Sequence, residues 1–111
     1  MDQDAIRALR RDLGDALLAK LLGRSAGSVR SYAKGRRPVP ALIARRLEWV
    51  RRITFSLAGG YNAIGMRAWF ERPRVQLGQR SPLASLGPDW TPSDASVVHV
   101  EKLAATLRGP G

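Results

Sequence analysis

The sequence predicts an all-α protein, and three observations carry that prediction. Apolar residues recur at intervals of three and four along most of the chain, which is the period of an amphipathic helix. Cap and breaker residues separate these stretches, in a chain with 11 glycines and 7 prolines. No stretch shows the apolar-polar alternation of a strand. We therefore expect several short helices and no sheet.

The first half predicts three helices in close succession. The spacing of Ile6 and Leu9 predicts an amphipathic first helix that Asp2 or Asp4 caps and that runs to Leu13. A second helix begins near residue 15 and ends at 23, where a glycine can take the left-handed conformation that ends helices. A third follows a serine N-cap at 25 and stops at the glycine at 35.

The longest predicted helix follows two prolines. Pro40 can serve as its first residue, where a missing N–H is harmless, and the helix is expected to run to about Ala58. Its apolar stripe consists of Ile43, Leu47, Val50 and Leu57. Gly59 and Gly60 then make continuation costly, so we place a boundary there and expect two domains, 1–58 and 61–111.

The second half predicts three more helices. The first spans 61–70, a short one spans 81–86, and the last is capped by Thr91 or Asp94. A frayed tail is expected from Arg108. The apolar stripe of the last helix consists of Val97, Val100, Leu103 and Leu107.

Residues 17–34 have the spacing of a helix-turn-helix. Two helices crossing at about 90–120° need a small residue at their contact, a glycine in the turn and an apolar residue on the second helix. Ala19, Gly23 and Val29 meet these needs in order. The pocket is completed by Leu18, Leu22 and Tyr32. Ordinary helical hairpins also reach this spacing by chance.

Positive charge is concentrated in the same half. Residues 1–60 hold 13 Lys or Arg against 5 Asp or Glu, residues 61–111 hold 6 against 4, and the formal net charge is +10. Such a distribution attracts polyanions and makes nucleic acid the first partner to consider, and the predicted helix-turn-helix specifies double-stranded DNA. A solvated basic surface without a ligand is the alternative.

The predicted third helix supplies the candidate DNA-binding residues. Arg30 can pair bidentately with guanine, serines can bond to a base or a phosphate, and the flanking cations suit phosphate contacts. The predicted set is Arg24, Ser25, Ser28, Arg30, Lys34, Arg36 and Arg37.

The segment GMRAWFERPRVQLGQRSPL, residues 65–83, resembles the C-terminal toxin-binding domain of Xre/MbcA/ParS-type antitoxins. The resemblance rests on Trp69, Arg72, Pro73, Leu77, Gly78, Pro82, Leu83 and Leu86. It implies an antitoxin that binds and neutralises a RES-domain, NAD-consuming toxin and represses its own operon through the helix-turn-helix. It also implies that the chain itself binds no cofactor.

Arginines and prolines in turn-rich segments make a plausible partner surface in this half, because arginine is enriched at the centres of interfaces. The prolines could equally only close turns, and Trp69 could be a core residue. The predicted toxin-binding set is Trp69, Arg72, Pro73, Arg74, Leu77, Arg80, Pro82 and Leu83.

Residue chemistry argues against an enzyme. The one histidine, His99, has no nucleophile or carboxylate at a useful spacing, and no phosphate-binding loop occurs. Cysteine is absent, so thiolate metal sites and disulfides are excluded. We expect no catalytic activity, no metal and no cofactor.

Targeting signals are not evident either. Asp2 and Asp4 stand where a secretory signal would be basic, and no apolar run approaches the roughly 20 residues of a membrane span. We therefore expect a cytoplasmic protein without a membrane partner. Operator binding favours a homodimer. The alternatives are a stand-alone helix-turn-helix regulator and a non-specific nucleic-acid-binding protein.

Overall fold

Six α-helices account for most of residues 2–108, which are the residues that the computed structural model describes. In chain order these are α1 (Asp2–Leu13), α2 (Asp15–Leu22), α3 (Ala26–Ala33), α4 (Ala41–Leu57), α5 (Ala63–Glu71) and α6 (Ala95–Ala105). Short 3-10 turns cover Val75–Leu77 and Thr106–Arg108. The all-α prediction is confirmed for this range, whereas the predicted tail at 109–111 lies outside the described residues.

The turn between α2 and α3 forms as its residues predict. Gly23 ends α2 in the left-handed conformation with φ of 71°, and the next residue, Arg24, donates its backbone N–H to the carbonyl of Ala19. The side chain of Ser25 caps α3 by accepting a hydrogen bond of 3.1 Å from the backbone N–H of Ser28. One left-handed residue and one side-chain cap thus set the path between the two helices.

Two predicted helix starts are shifted. Pro40 is the N-cap of α4 rather than its first helical residue, because its ψ is 153° while its carbonyl already accepts from the Ala44 N–H. Helix α5 begins at Ala63 and not at 61, since the side chain of Asn62 accepts a hydrogen bond of 2.8 Å from the N–H of Gly65. Asparagine is a strong N-cap, which makes the later start the more favourable one.

The short helix predicted at 81–86 is wrong, because the structure has a hydrogen-bonded turn there. The N–H of Ser85 donates to the Ser81 carbonyl, but the N–H of Leu83 donates to Phe70 on α5 at 2.9 Å. A single helical turn is unfavourable, because it fixes the backbone of several residues and gains few backbone hydrogen bonds in return. The bond to α5 and the break at Pro88 leave no room for a second turn.

One continuous core joins the two halves of the chain. Helix α1 packs against α2, α3, α4 and α5, and α4 also packs against α6. The buried apolar residues form a single cluster that includes Trp49 from the first half and Trp69, Phe70 and Trp90 from the second. Residues 59–60, the predicted boundary, therefore connect two halves that contribute to the same core. The division into two domains stays a prediction.

A buried arginine is the largest departure from the predicted pattern. The predicted apolar stripe of α4 includes Ile43, Leu47 and Val50, yet Arg46 lies on the same side of the helix and is only 2% exposed. Its guanidinium donates to the carbonyls of Leu22, Pro88 and Trp90 at 2.9, 3.4 and 2.8 Å. Burial lowers the pKa of Arg46, as does the nearby positive charge of Arg24. Backbone carbonyls thus solvate this charge inside the protein.

Within residues 2–108 no helix combines the length and the apolar character needed to cross a membrane.

Candidate nucleic-acid interface

Helix α3 presents a narrow outward face next to the turn. Its inner face is buried through Val29, Tyr32 and Ala33, whose side chains belong to the core. Exposed positions at intervals of three and four follow the opposite face, at Gly27, Arg30 and, at the C-cap, Lys34. Arg30 and Lys34 therefore supply the long side-chain donors on this face.

Arg30 is half exposed and lies beside the start of α2. Its Nη1 is 3.7 Å from the carboxylate of Asp15, which also accepts two hydrogen bonds from Arg10 at 2.6 and 3.1 Å. The hydrogen bond from Arg10 is the main cause of a lowered pKa of Asp15, and Arg30 contributes to the same direction. The carboxylate therefore restrains Arg30 without covering it, since half of the arginine side chain stays exposed.

The two serines predicted to contact DNA are engaged inside the protein. Ser25 caps the helix, and its hydroxyl lies 3.1 Å from that of Ser28. The Ser28 hydroxyl in turn accepts a hydrogen bond of 3.0 Å from Nη1 of Arg37, whose guanidinium lies 5.4 Å from the ring centre of Tyr32. Arg37 thus folds back along α3, a contact that its position outside the helix does not predict.

The remaining predicted cations are exposed around the same helix. Arg24 makes one hydrogen bond, to the neighbouring carbonyl of Gly23, while Lys34 and Arg36 have no ion-pair partner within the part of the chain that the structure describes. Residues 16–47 contain eight Lys or Arg and no Asp or Glu, and of these eight only Arg46 is buried. The surface around α3 is therefore strongly positive.

The predicted toxin-binding residues cluster in a second place, on the loop after α5. This loop closes on itself, since Arg74 and Arg80 form an isolated antiparallel bridge with an N···O distance of 3.1 Å. The Arg74 guanidinium stacks 4.9 Å from the ring centre of Trp69 and donates to its carbonyl. Gln79 has a φ of 68°, the one non-glycine residue among 2–108 in the left-handed region. A side chain held there indicates a loop of fixed shape.

The members of the toxin-binding set differ in how accessible they are. Trp69 and Pro82 are buried, so they support the loop from beneath. Arg72, Pro73 and Arg80 are exposed, and the others are partly buried. Val75 projects from the same loop with 76% of its side chain exposed.

A shallow groove of about 500 Å³ lies beside this loop, between its second half and α6. Arg80 and His99 both line it, together with Leu77 and backbone from glycines. Nothing in the sequence spacing connects His99 with Arg80, which lies 19 positions earlier. The groove therefore brings the imidazole of His99 close to the arginines of the loop.

Two observations concern the acidic side chains and the histidine of residues 2–108. No group of three or more His, Asp or Glu side chains lies close enough to hold a metal ion there. The carboxylates with the clearest contacts, Asp15 and Glu48, have pKa values lowered by arginine partners, which is the opposite of what a general acid needs.

Comparison with protein-family models, with characterised proteins and with solved structures gives no significant match to this chain.

Proposed function

We propose that the protein binds double-stranded DNA through α2, the turn and α3, acting as a helix-turn-helix. One observation carries the proposal: the outward face of α3 lies in the middle of a stretch of 32 residues with seven exposed basic side chains and no acidic one. Such a surface supplies the phosphate contacts that dominate affinity for DNA. An α-helix with its side chains is about 10–12 Å across, which suits the width of the major groove.

The side chains divide into two roles in this proposal. Arg30 points from the middle of the exposed face and reads a base, for which guanine is the favoured partner. Arg24, Lys34 and Arg36 contact phosphates, which fix the register of the protein on the duplex. Ser25 and Ser28 act mainly by holding the start of α3 in place, since both hydroxyls are already engaged.

The test is a selection of preferred sites from a pool of random duplexes, followed by affinity measurements at two salt concentrations. A helix-turn-helix regulator should bind its selected site at least about a thousand-fold more tightly than unrelated duplex. It should also lose affinity as salt rises, because bound phosphates release counterions. A ratio near one with the same steep salt dependence would instead support a non-specific nucleic-acid-binding protein.

We also propose that the protein is an antitoxin, which neutralises a RES-type toxin through the loop after α5 and represses its own operon as a homodimer. The resemblance of residues 65–83 suggests this role, and the shape of the loop favours it. Exposed Arg72 and Arg80 flank the apolar side chain of Val75 on a backbone that a bridge and a stacked arginine hold in place. Preformed loops with arginine and an apolar centre lose little entropy on binding a partner.

Co-expression with the product of the adjacent gene tests the antitoxin role. We expect a stable complex on co-purification and loss of the toxicity of that product. Arg80→Glu should prevent complex formation while operator binding is retained. Lys102→Glu, an exposed substitution on α6 with the same change of charge, should leave both complex formation and operator binding intact. A chain that elutes alone as a dimer and still binds its own promoter would be a stand-alone regulator.

A further inference from the structure

The C-terminal end of α2 is fully capped, partly from distant parts of the chain. A helix leaves its last four carbonyls without partners in the helix, and those of α2 belong to residues 19–22. The turn satisfies the first two, because Gly23 N–H donates to Lys20 and Arg24 N–H donates to Ala19. The other two accept from side chains more than twenty residues away in sequence.

The first of these distant donors is Trp90, in the loop before α6. Its indole Nε1 donates to the carbonyl of Leu21 at 3.0 Å, and the ring is 3% exposed. The second is Arg46, whose Nη1 donates to the carbonyl of Leu22 at 2.9 Å and whose Nε donates to the carbonyl of Trp90. The guanidinium also lies 5.0 Å from the centre of the indole ring. The two donors therefore hold each other as well as α2.

This arrangement fixes the point from which α3 departs. Leu22 is followed by only three residues, 23–25, before α3 begins. A small rotation of the last carbonyls of α2 would therefore move the whole exposed face of α3. A guanidinium at a helix C-terminus is also electrostatically favourable, since the carbonyl end of the helix dipole is negative.

We propose that Arg46 and Trp90 are positioning residues for DNA recognition, which set the angle of α3 through the last two carbonyls of α2. The inference rests on the proposed DNA binding and extends it, because it makes a loop of the second half a working part of the DNA-binding unit. Neither side chain touches DNA in this proposal. Their loss should weaken sequence-specific binding more than binding to unrelated duplex.

The decisive variant is Trp90→Phe, which removes the indole N–H and retains an aromatic ring beside Arg46. Trp49→Phe is the matched control, since Trp49 is 0% exposed, its ring centre lies 5.0 Å from that of Trp90, and its Nε1 has no hydrogen-bond partner. Both variants make the same chemical change in the same part of the core. Only one of them removes a hydrogen bond to α2.

The measurements are the affinities of each variant for the selected site and for unrelated duplex, at a temperature where circular dichroism shows full folding. For Trp90→Phe we expect the ratio of the two affinities to fall roughly five-fold, the size expected for one lost hydrogen bond. Trp49→Phe should keep the wild-type ratio. A loss of stability alone would lower both affinities by one factor and leave the ratio unchanged.

Amide hydrogen exchange gives an independent readout. Trp90→Phe should speed exchange of the Gly23 and Arg24 N–H groups, which form the turn, by a larger factor than Trp49→Phe does. Equal ratios and equal exchange in the two variants would overturn this inference alone. A wild-type chain without any preferred site would overturn the proposed function and the inference together.

Discussion

A Cβ atom on Gly23 would lie 2.8 Å from Nη1 of Arg46, closer than side-chain carbons approach other atoms in folded proteins. The same glycine has a φ of 71°, in the left-handed region that disfavours side chains. Gly23 is thus required twice, once by the path of the turn and once by the guanidinium packed against it. Few side chains could be added there without moving the bond from Arg46 to Leu22.

Gly23→Ala should accordingly lower the free energy of unfolding by about 2 kcal/mol, from backbone strain and the displaced arginine together. Gly59→Ala is the control, because nothing lies within 4 Å of a Cβ there and its φ is not positive. That change should be neutral or mildly stabilising. Urea unfolding of both variants checks the prediction, and equal losses would argue against it.

The roles proposed on α3 predict different responses to two arginine substitutions. Arg30→Ala should cost about 1–3 kcal/mol at the selected site and relax preference at one base pair. Arg36→Ala should weaken all duplexes alike and make the salt dependence about one unit shallower. Arg36 is the better phosphate probe than Arg37, because Arg37 also bonds to Ser28. If both variants weaken all duplexes equally, the assignment of Arg30 to base reading fails.

The lowered pKa of Asp15 makes part of the stability depend on pH. An Asp with a pKa near 3.9 when unfolded and a lower pKa when folded stabilises the fold above that value, and loses the effect as pH falls through the folded pKa. Asp15→Asn should therefore cost about 1 kcal/mol at pH 7, where its bonds from Arg10 are lost. The cost should be smaller at pH 2, where more of the carboxylate is protonated. Urea midpoints of wild type and variant at the two pH values measure the difference, and an equal cost at pH 2 would point to packing.

The ion pair between Arg52 on α4 and Glu101 on α6 should contribute little, although it joins the two halves. Its closest atoms are 3.1 Å apart, but both side chains keep more than a third of their surface in water. Exposed pairs of this kind are worth about 0.2–1 kcal/mol because solvent screens them. A double-mutant cycle with Arg52→Ala and Glu101→Ala should return a coupling in that range, and a coupling well above it would mean that the pair holds α6 in place.

The local features of the fold follow from short stretches of sequence. The α2 to α3 turn could be predicted because Gly23 and Ser25 act on their immediate neighbours, through a backbone angle and a hydroxyl three residues from its partner. The predicted start of α5 is two residues too early, although the side chain that sets it is also a local signal. A helix that starts at 61 has Gly60 before it, and the spacing of apolar residues does not separate that start from one after Asn62, although asparagine is the stronger N-cap.

Arg46 could have been found by its position alone, since it lies three residues after Ile43 and four before Val50, on the buried face of α4. A positive charge at such a place indicates either an error in the helix assignment or a partner elsewhere. Its carbonyl partners are 24, 42 and 44 residues away, which no local pattern reveals.

The sequence by itself determined the helical class, most helix ends and the concentration of positive charge around α3, because these depend on residue type and on neighbours within about one helical turn. Tertiary structure alone decided that the two halves share a core, that Arg37 lies along α3, and that Trp90 and Arg46 cap α2. The physical reason is that a buried donor takes whichever acceptor packing brings within reach. That choice is made only when the helices meet.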